Sequence, residues 1–224
     1  MRKYLKRVAS FFLIPLVQWY LRKERHCTYK GIEVSVMPGV FHPGFFYSTK
    51  FLLSYLHNIP LANKTLLELG CGTGLISIVA AKAGAIVTAS DLSKTAVANT
   101  IHNAKKNGVE IHIYHSDLFD QIQGQFDIIV INPPYYSKDA TDEATLAWNC
   151  GKDFQYFQKL FEQLPSHIHS TSHTVMVLTK GCDVDSIVSI AKTFSFQFDL
   201  IKEKNVLFDE KDYLYEIRSA AENN

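Results

Sequence analysis

The stretch TLLELGCGTGL, residues 65–75, decides the fold of the chain. A mostly apolar run precedes three alternate glycines, and an apolar, helix-like stretch continues to residue 83. Glycine has no Cβ, so a loop that contains Gly70, Gly72 and Gly74 can turn tightly and lets a ligand approach its backbone. The stretch therefore predicts a strand at 65–69, a ligand-binding turn and a helix at 75–83.

The same alternation of strand and helix continues beyond this unit. We predict strands at 86–90, 111–114, 126–131 and 174–179, helices at 94–107, 153–164 and 183–193, and an antiparallel pair formed by 196–207 and 213–217. Such an alternation gives an α/β fold, with a mostly parallel sheet and helices on both faces. Ligands bind these sheets at the carboxyl ends of the strands, where the sequence places the loops ELGCGTG, SDLS and NPPY.

The composition is that of an ordinary globular protein in a reducing compartment. Of the 224 residues, 47% are hydrophobic and 20% are charged, which is enough to build one full core. The four cysteines have no CxxC spacing, so neither a disulfide framework nor a zinc knuckle is indicated. A reducing compartment predicts a cytoplasmic protein. We also expect a monomer.

Charge is distributed unevenly along the chain. Residues 1–30 hold eight Lys or Arg and one Glu, whereas residues 31–224 hold fifteen Lys or Arg and twenty-one acids. We predict a basic, amphipathic, helical N-terminal extension at 1–30 and a single domain at 31–224. The apolar run at 8–17 is too short to span a bilayer. The extension either packs on the domain or contacts a membrane surface or a partner.

Three acidic residues lie in or just after the first three strands of this unit. Asp91 follows Gly74 by 17 residues, where a carboxylate can accept hydrogen bonds from both hydroxyls of a ribose. A dinucleotide fingerprint would place its third glycine one residue later, and Glu68 would repel a pyrophosphate. An acid at position 68 instead suits the ammonium and sulfonium charges of S-adenosylmethionine. Asp117 either accepts from the adenine amino group or caps a turn.

The motif NPPY, residues 132–135, ends the strand at 126–131. An amide or exocyclic amino nitrogen is a poor nucleophile because its lone pair is delocalised. The Asn132 side-chain oxygen and the Pro133 carbonyl can accept both N–H groups and favour a pyramidal nitrogen whose lone pair faces a methyl donor. Pro134 stiffens the loop, and Tyr135 offers a flat face for stacking. The simpler interpretation is a Pro-Pro strand terminator.

The motifs from Leu66 to Tyr135 resemble, in order and spacing, those of the class I S-adenosylmethionine-dependent methyltransferases. They are most similar to the HemK/PrmC-type glutamine methyltransferases and their short, single-domain relatives. The resemblance implies a Rossmann-like, seven-stranded sheet whose last strand is antiparallel, with S-adenosylmethionine as cofactor. It implies catalytic roles for Asn132, Pro133 and Tyr135. Expected cofactor contacts are Thr49, Glu68, Gly70, Cys71, Gly72, Gly74, Asp91, Leu92, Asp117, Leu118 and Asn132.

The segment before the glycine loop departs from the family pattern. It reads GVFHPGFFYSTKF, where the short glutamine methyltransferases typically read like GVYEPAEDT. His42 replaces an acid, and Thr49 takes the place of the family's cofactor-facing threonine. Phe45, Phe46 and Tyr47 form either a wall of the substrate site or a hydrophobic plug.

The segment AWNCGKDF, residues 147–154, resembles the family's AWxGG segment and could close over a substrate. We expect neither Cys71 nor Cys150 to be reactive, because methyl transfer to nitrogen needs no covalent intermediate. The histidines of SHIHSTSH, residues 166–173, are interpreted as part of a polar connector rather than as metal ligands.

These observations predict an S-adenosylmethionine-dependent N-methyltransferase of a planar amide, with the glutamine side chain of a translation protein as the expected acceptor. The alternative acceptor is the N6 of adenine in RNA or DNA, because NPPY serves that chemistry equally well. The acidic domain disfavours nucleic acid, since phosphate contacts need Lys and Arg. A non-catalytic cofactor-binding scaffold is the third hypothesis, and the intact NPPY motif argues against it.

Overall fold

The computed structural model describes residues 22–206 and 210–220. Strands β1 (Arg25–Tyr29) and β2 (Ile32–Val36) form an antiparallel hairpin. One larger sheet contains β3 (Thr65–Leu69), β4 (Ile86–Asp91), β5 (His112–His115), β6 (Ile128–Ile131), β7 (His173–Thr179), β8 (Phe196–Val206) and β9 (Glu210–Ser219). The helices are α1 (Tyr47–Leu56), α2 (Leu75–Lys82), α3 (Lys94–Lys106), α4 (Gln155–Gln163) and α5 (Val184–Thr193).

The seven-stranded sheet has the order β5-β4-β3-β6-β7-β9-β8. Its neighbouring strands run parallel except at β9, which pairs antiparallel with both β7 and β8. The predicted α/β class and the antiparallel last strand are confirmed. The last strand is inserted between β7 and β8 rather than added at the edge.

The central strands are apolar because both faces of the sheet are covered. On one face, Leu66 and Val130 pack with apolar residues of α1 and α2. On the other face, Leu67 and Ile129 pack with apolar residues of α4 and α5. All four side chains are fully buried, and each stabilises the fold by about 1.5–3 kcal/mol relative to exposure. This two-sided burial fixes the positions of the loops at the strand ends.

The predicted helical extension at residues 1–30 is wrong for residues 25–29. Residues 25–29, which the charge pattern assigned to a helical extension, form β1, and a turn at Lys30 and Gly31 joins that strand to β2. The side chains of β1 alternate between partly buried and exposed positions, as expected for a strand that is covered on one face. The predicted boundary between 30 and 31 therefore cuts a hairpin. Residues 1–21, with the expected amphipathic helix, lie outside the described residues.

Helix α1 was not predicted, whereas every predicted element of the sheet and its helices is present with ends shifted by a few residues. None of the helices within 22–206 and 210–220 combines the length and the apolar character needed to cross a membrane.

Two asparagines on α3 hold the hairpin in place. Asn103 accepts from the Ser35 N–H at 2.8 Å and donates to the carbonyls of Ser35 at 2.8 Å and Thr73 at 2.9 Å. One turn earlier, Asn99 accepts from the Met37 N–H and donates to the Ser35 carbonyl. Both side chains are completely buried, so these bonds replace the water that the backbone groups would otherwise bind. The hairpin is thereby tied to α3 and to the glycine loop.

Replacing Asn103 by alanine should destabilise the protein by about 2–4 kcal/mol, because a buried N–H and a buried carbonyl lose their partner. Asn107→Ala is the matched control, since Asn107 lies at the partly exposed end of the same helix and donates to the Glu33 carbonyl. Its cost should stay below about 1 kcal/mol. Urea unfolding measures both, and equal losses would contradict the proposed role of Asn103.

Candidate active site

The carboxyl ends of β3, β4 and β6 surround one cleft of about 450 Å³. In the parallel pairing of β3 with β6, Leu69 lies opposite Ile131, so the glycine loop and the NPPY motif leave the sheet side by side. A Cβ added to Gly70 would lie 4.0 Å from the Asn132 carbonyl oxygen. The cleft size falls in the range of small-molecule and cofactor sites.

Most of the expected site residues line this cleft. They are Thr49, Glu68, Gly70, Cys71, Gly72, Asp91, Leu92, Asp117, Leu118, Asn132, Pro133 and Tyr135. Gly74 does not line it. It precedes α2 with φ of +74°, and a Cβ there would lie 2.7 Å from Thr100 Cγ2. Gly74 is therefore required for the turn into α2 and its approach to α3, and the predicted cofactor contact is not supported by its position.

Asp91 orders two loops through its carboxylate. Its Oδ2 accepts from the Gly72 N–H and its Oδ1 from the Ser93 N–H, each at 2.9 Å. Burial raises the pKa of Asp91, although these two hydrogen bonds oppose the rise. Each carboxylate oxygen has a second lone pair, so Asp91 can still accept hydrogen bonds from a ligand in the cleft.

Glu68 forms the acidic floor of the cleft and is only 5% exposed. Its Oε2 accepts from the Ser77 N–H at 2.9 Å and from the Ser77 hydroxyl. Burial raises the pKa of Glu68 to about 8, against the opposing effect of the bonds from Ser77, and the charge of Asp91 adds to the rise. At neutral pH the ligand-free protein therefore holds this carboxyl largely protonated.

The far end of the cleft contains a lysine that sequence reasoning missed. Lys159 Nζ lies 2.7 Å from Asp117 Oδ2 and 2.7 Å from Asp120 Oδ2. It comes from α4, 42 residues after Asp117, and no local motif connects the two. Leu118 turns into the apolar core through a positive φ of 53°, while Leu92 remains 43% exposed.

The aromatic trio does not form a single surface. Phe46 stacks on Phe41 at 4.8 Å between ring centroids, and its edge meets the Trp148 ring at 4.9 Å. Phe45 instead stacks on His42. Tyr47 contacts Lys204 through its hydroxyl and its ring face. Phe41 and Trp148 line the cleft, so Phe46 supports the wall from behind.

One side of the cleft is built from NPPY and the AWNCG segment. The Trp148 carbonyl accepts from the N–H groups of Tyr135 at 3.1 Å and Tyr136 at 2.9 Å. The Tyr135 hydroxyl is hydrogen-bonded to Thr179, and burial raises the pKa of this phenol. Within 22–206 and 210–220, the side chain of Asn132 has no hydrogen-bond partner. Its amide is therefore available to a ligand.

The thiols near the cleft are poor nucleophiles. Burial raises the pKa of Cys71 well above its ordinary value and that of Cys150 to about 11, so both remain protonated at neutral pH. In the part of the chain that the structure describes, no group of three His, Cys, Asp or Glu residues is arranged to hold a metal ion. His173 is paired with Glu216 at 2.7 Å.

The buried carboxyl of Glu68 predicts a pH-dependent stability. The folded protein binds this proton more tightly than the unfolded chain, so stability is lost as the pH rises from the ordinary value of 4.5 to about 8. Glu68→Gln cannot titrate and should escape this loss. Relative to wild type, the ligand-free variant should gain about 2–4 kcal/mol between pH 5 and pH 9.

Urea unfolding at the two pH values measures this gain. Glu110→Gln is the control, because Glu110 is exposed and its substitution should leave the pH dependence of wild type unchanged. A Glu68→Gln variant whose stability difference from wild type is the same at both pH values would refute the buried, protonated carboxyl.

The chemistry of the cleft fits S-adenosylmethionine. One buried acid forms the floor beside the glycine loop, a second lies at the end of β4, and a third follows β5, so acceptors are available along the length of the cleft. An acidic floor suits a cationic ligand, and the exposed backbone of the glycine loop permits close approach. A pyrophosphate would gain no favourable charge interaction from Glu68, whereas a cation favours the ionised carboxylate.

Comparison with known proteins identifies the family. The methyltransferase small domain family matches residues 31–205. A "putative protein N5-glutamine methyltransferase" of Methanocaldococcus jannaschii is 30% identical over 187 residues, which are 81% of this chain and 93% of the relative. A ribosomal RNA small subunit methyltransferase C of Chromohalobacter salexigens is 34% identical over 142 residues, 62% of this chain and 41% of the relative.

A solved structure has the same fold. The T. thermophilus 16S rRNA N2 G1207 methyltransferase, in complex with AdoMet and guanosine, gives a TM-score of 0.61 at 19% identity, covering 87% of this chain and 50% of that chain. The chain thus spans nearly all of the M. jannaschii relative but half or less of the other two proteins. It belongs to the methyltransferase small domain family and is an S-adenosylmethionine-dependent methyltransferase with a Rossmann-like fold.

Proposed function

We propose that the protein methylates a planar amide nitrogen, the side-chain N5 of a glutamine in a translation protein. The observation that carries this proposal is the position of Asn132, which follows β6, lines the cofactor cleft and has its backbone carbonyl next to Gly70. Among the described residues its side chain has no hydrogen-bond partner. The M. jannaschii relative, which this chain covers almost end to end, supports glutamine as the acceptor.

The chain's own groups can activate such an amide. The Asn132 side-chain oxygen and the Pro133 carbonyl accept hydrogen bonds from the two N–H groups of the acceptor nitrogen. These hydrogen bonds strengthen as the nitrogen becomes pyramidal and its N–H groups become more acidic. Tyr135 stacks on the amide plane, and its ring is held by the backbone bond to Trp148 and the hydroxyl bond to Thr179. S-adenosylmethionine supplies the methyl group.

No thiolate or phenolate is needed for the proton. The phenol of Tyr135 and the thiol of Cys150 both have raised pKa values and remain protonated at neutral pH. Once methylated, the nitrogen carries an extra proton that is strongly acidic, and it can pass this proton to water. The acceptors on Asn132 and Pro133 therefore contribute orientation and charge stabilisation rather than general base catalysis.

The cofactor contacts follow from the same geometry. We propose that Glu68 faces the cationic end of S-adenosylmethionine, that Asp91 accepts from the ribose hydroxyls and that Asp117 accepts from the adenine amino group. The glycine-loop backbone, Thr49, Cys71, Leu92 and Leu118 complete the walls around the cofactor.

Adenine N6 is the second candidate acceptor. The half-buried ring of Tyr135 can stack on a base, and the C. salexigens relative is named as an RNA methyltransferase. The excess of acids over Lys and Arg in residues 31–224 disfavours a polyanionic substrate.

A labelling experiment distinguishes the two acceptors. The protein is incubated with methyl-labelled S-adenosylmethionine and cell extract, and the products are treated separately with protease and nuclease. Release of label by protease, with N5-methylglutamine recovered by mass spectrometry, is the expected result. Release by nuclease alone would overturn the glutamine proposal.

Asp91→Asn should weaken S-adenosylmethionine binding about 10- to 100-fold, because the ligand loses hydrogen bonds to a charged acceptor. Asp127→Asn is the matched control. Asp127 also accepts backbone and side-chain hydrogen bonds, from Thr65, but it lies at the opposite end of the strands. Titration calorimetry should show normal affinity for the control. A folded Asp91→Asn protein with wild-type affinity would contradict the ribose contact.

Asn132→Ala should lower single-turnover methylation about 10²- to 10³-fold, by analogy with the loss of one oxyanion-hole donor, while the substrate affinity changes little. Tyr135→Ala should weaken substrate binding as well, because it removes the stacking surface. Tyr136→Ala removes the adjacent ring, which does not line the cleft, and should have a much smaller effect. If Asn132→Ala methylates at the wild-type rate, the proposed activation by Asn132 is wrong and NPPY only terminates the strand.

A further inference from the structure

Lys159 lies between two carboxylates, at the end of the cleft next to the loop that follows β5. Its Nζ donates to Asp117 Oδ2 and to Asp120 Oδ2, each at 2.7 Å. Asp120 is also fixed from the other side, since Gln163 Nε2 donates to its Oδ1 at 2.8 Å. Lys159 itself lines the cleft, and only about a third of its side chain is exposed. The lysine is therefore held in one orientation by two neighbours.

Asp117 differs from the other acids of the cleft because little else restrains it. Both oxygens of Asp91 accept backbone N–H groups, and Glu68 is held by Ser77. Asp117 has a side chain that is 46% exposed, and among the described residues Lys159 is its single side-chain hydrogen-bond partner. Without Lys159 the carboxylate would be free to rotate and to bind water. With it, Oδ2 is occupied and Oδ1 remains for a ligand.

The lysine also sets the charge at this end of the cleft. Burial lowers the pKa of Lys159, but the hydrogen bonds to Asp117 and Asp120 outweigh that effect and leave the pKa raised, so the ammonium group is charged. A carboxylate paired with a cation attracts a second cation weakly yet still accepts a hydrogen bond from a neutral amino group. This suits the uncharged adenine ring and contrasts with the acidic floor at Glu68.

We propose that Lys159 is a positioning residue that holds Asp117 in the orientation needed to select a purine with a 6-amino group. This inference rests on the adenine contact of Asp117 in the proposed function. Lys159 lies on α4, outside the glycine loop and the NPPY motif, and this inference gives it a role in ligand specificity.

The test compares two ligands by titration calorimetry. They are S-adenosylhomocysteine, which has no net charge, and its purine analogue that lacks the 6-amino group. Wild type should prefer the first by about tenfold, the value of one hydrogen bond to a charged acceptor. In Lys159→Met the preference should fall to about twofold or less, whereas Lys159→Arg should keep most of it.

Three controls isolate the pair. Asp120→Asn leaves the contact between Lys159 and Asp117 intact and should retain the preference. Asp117→Ala should lose it, and adding Lys159→Met to Asp117→Ala should change it no further. Thermal melting establishes that each variant is folded. If Lys159→Met does not fold, Lys159→Gln preserves the test, because it is polar but removes the ammonium group, and it should lower the preference to the same extent.

Two results would overturn the inference. One is a folded Lys159→Met protein with the wild-type preference, and the other is an equal loss of affinity for both ligands, which would indicate a merely structural lysine. A wild-type protein that binds both ligands equally would instead refute the adenine contact of Asp117, so failure of the proposed function is distinguishable from failure of the role of Lys159.

Discussion

The parallel pairing of β3 with β6 is the constraint on which the site depends. The chain runs from β3 outward to β4 and β5, and then returns to the other side of β3 as β6. At such a reversal, the loops after neighbouring strands diverge and leave a crevice at their carboxyl ends. Because Leu69 lies opposite Ile131, the glycine loop and NPPY must leave the sheet together. The backbone register thus places the proposed sites of the methyl donor and the acceptor side by side.

The cleft is built at a cost in stability. Glu68 and Asp91 are both largely buried, and burial raises the pKa of each because the charged carboxylate loses its hydration. Their hydrogen bonds come from Ser77, Gly72 and Ser93, all of which belong to the loops and helices that shape the cleft. A cation bound next to Glu68 would stabilise the ionised carboxylate and so lower its pKa. Binding of a cation should therefore be coupled to release of the Glu68 proton.

Much of the sheet and its helices was predictable because the signals are local. The glycines at 70, 72 and 74 mark a turn, and buried strands such as IIVI read as continuous apolar runs. The hairpin β1–β2 was missed because tertiary contacts stabilise it, above all the buried amides of Asn99 and Asn103. Helix α1 is stabilised by packing of its apolar residues in the core. Gly74 was placed in the cofactor site because spacing cannot separate a glycine that faces a ligand from one that faces Thr100. The role of Lys159 could not be predicted from the sequence, because its partner Asp117 is 42 residues away.

Residues 143–159 connect the proposed acceptor side of the cleft to the proposed cofactor side. Glu143 accepts from the N-cap hydroxyl of α3 at 2.7 Å, and that same N-cap residue donates its N–H to the carboxylate at the end of β4. Trp148 holds the backbone of Tyr135 through its carbonyl, and α4 then carries Lys159 to Asp117. One continuous piece of chain therefore touches the proposed sites of the ribose, the acceptor amide and the adenine. In-line methyl transfer requires donor and acceptor to be aligned within a fraction of an ångström. A segment that supports both proposed binding sites therefore fixes their positions relative to each other.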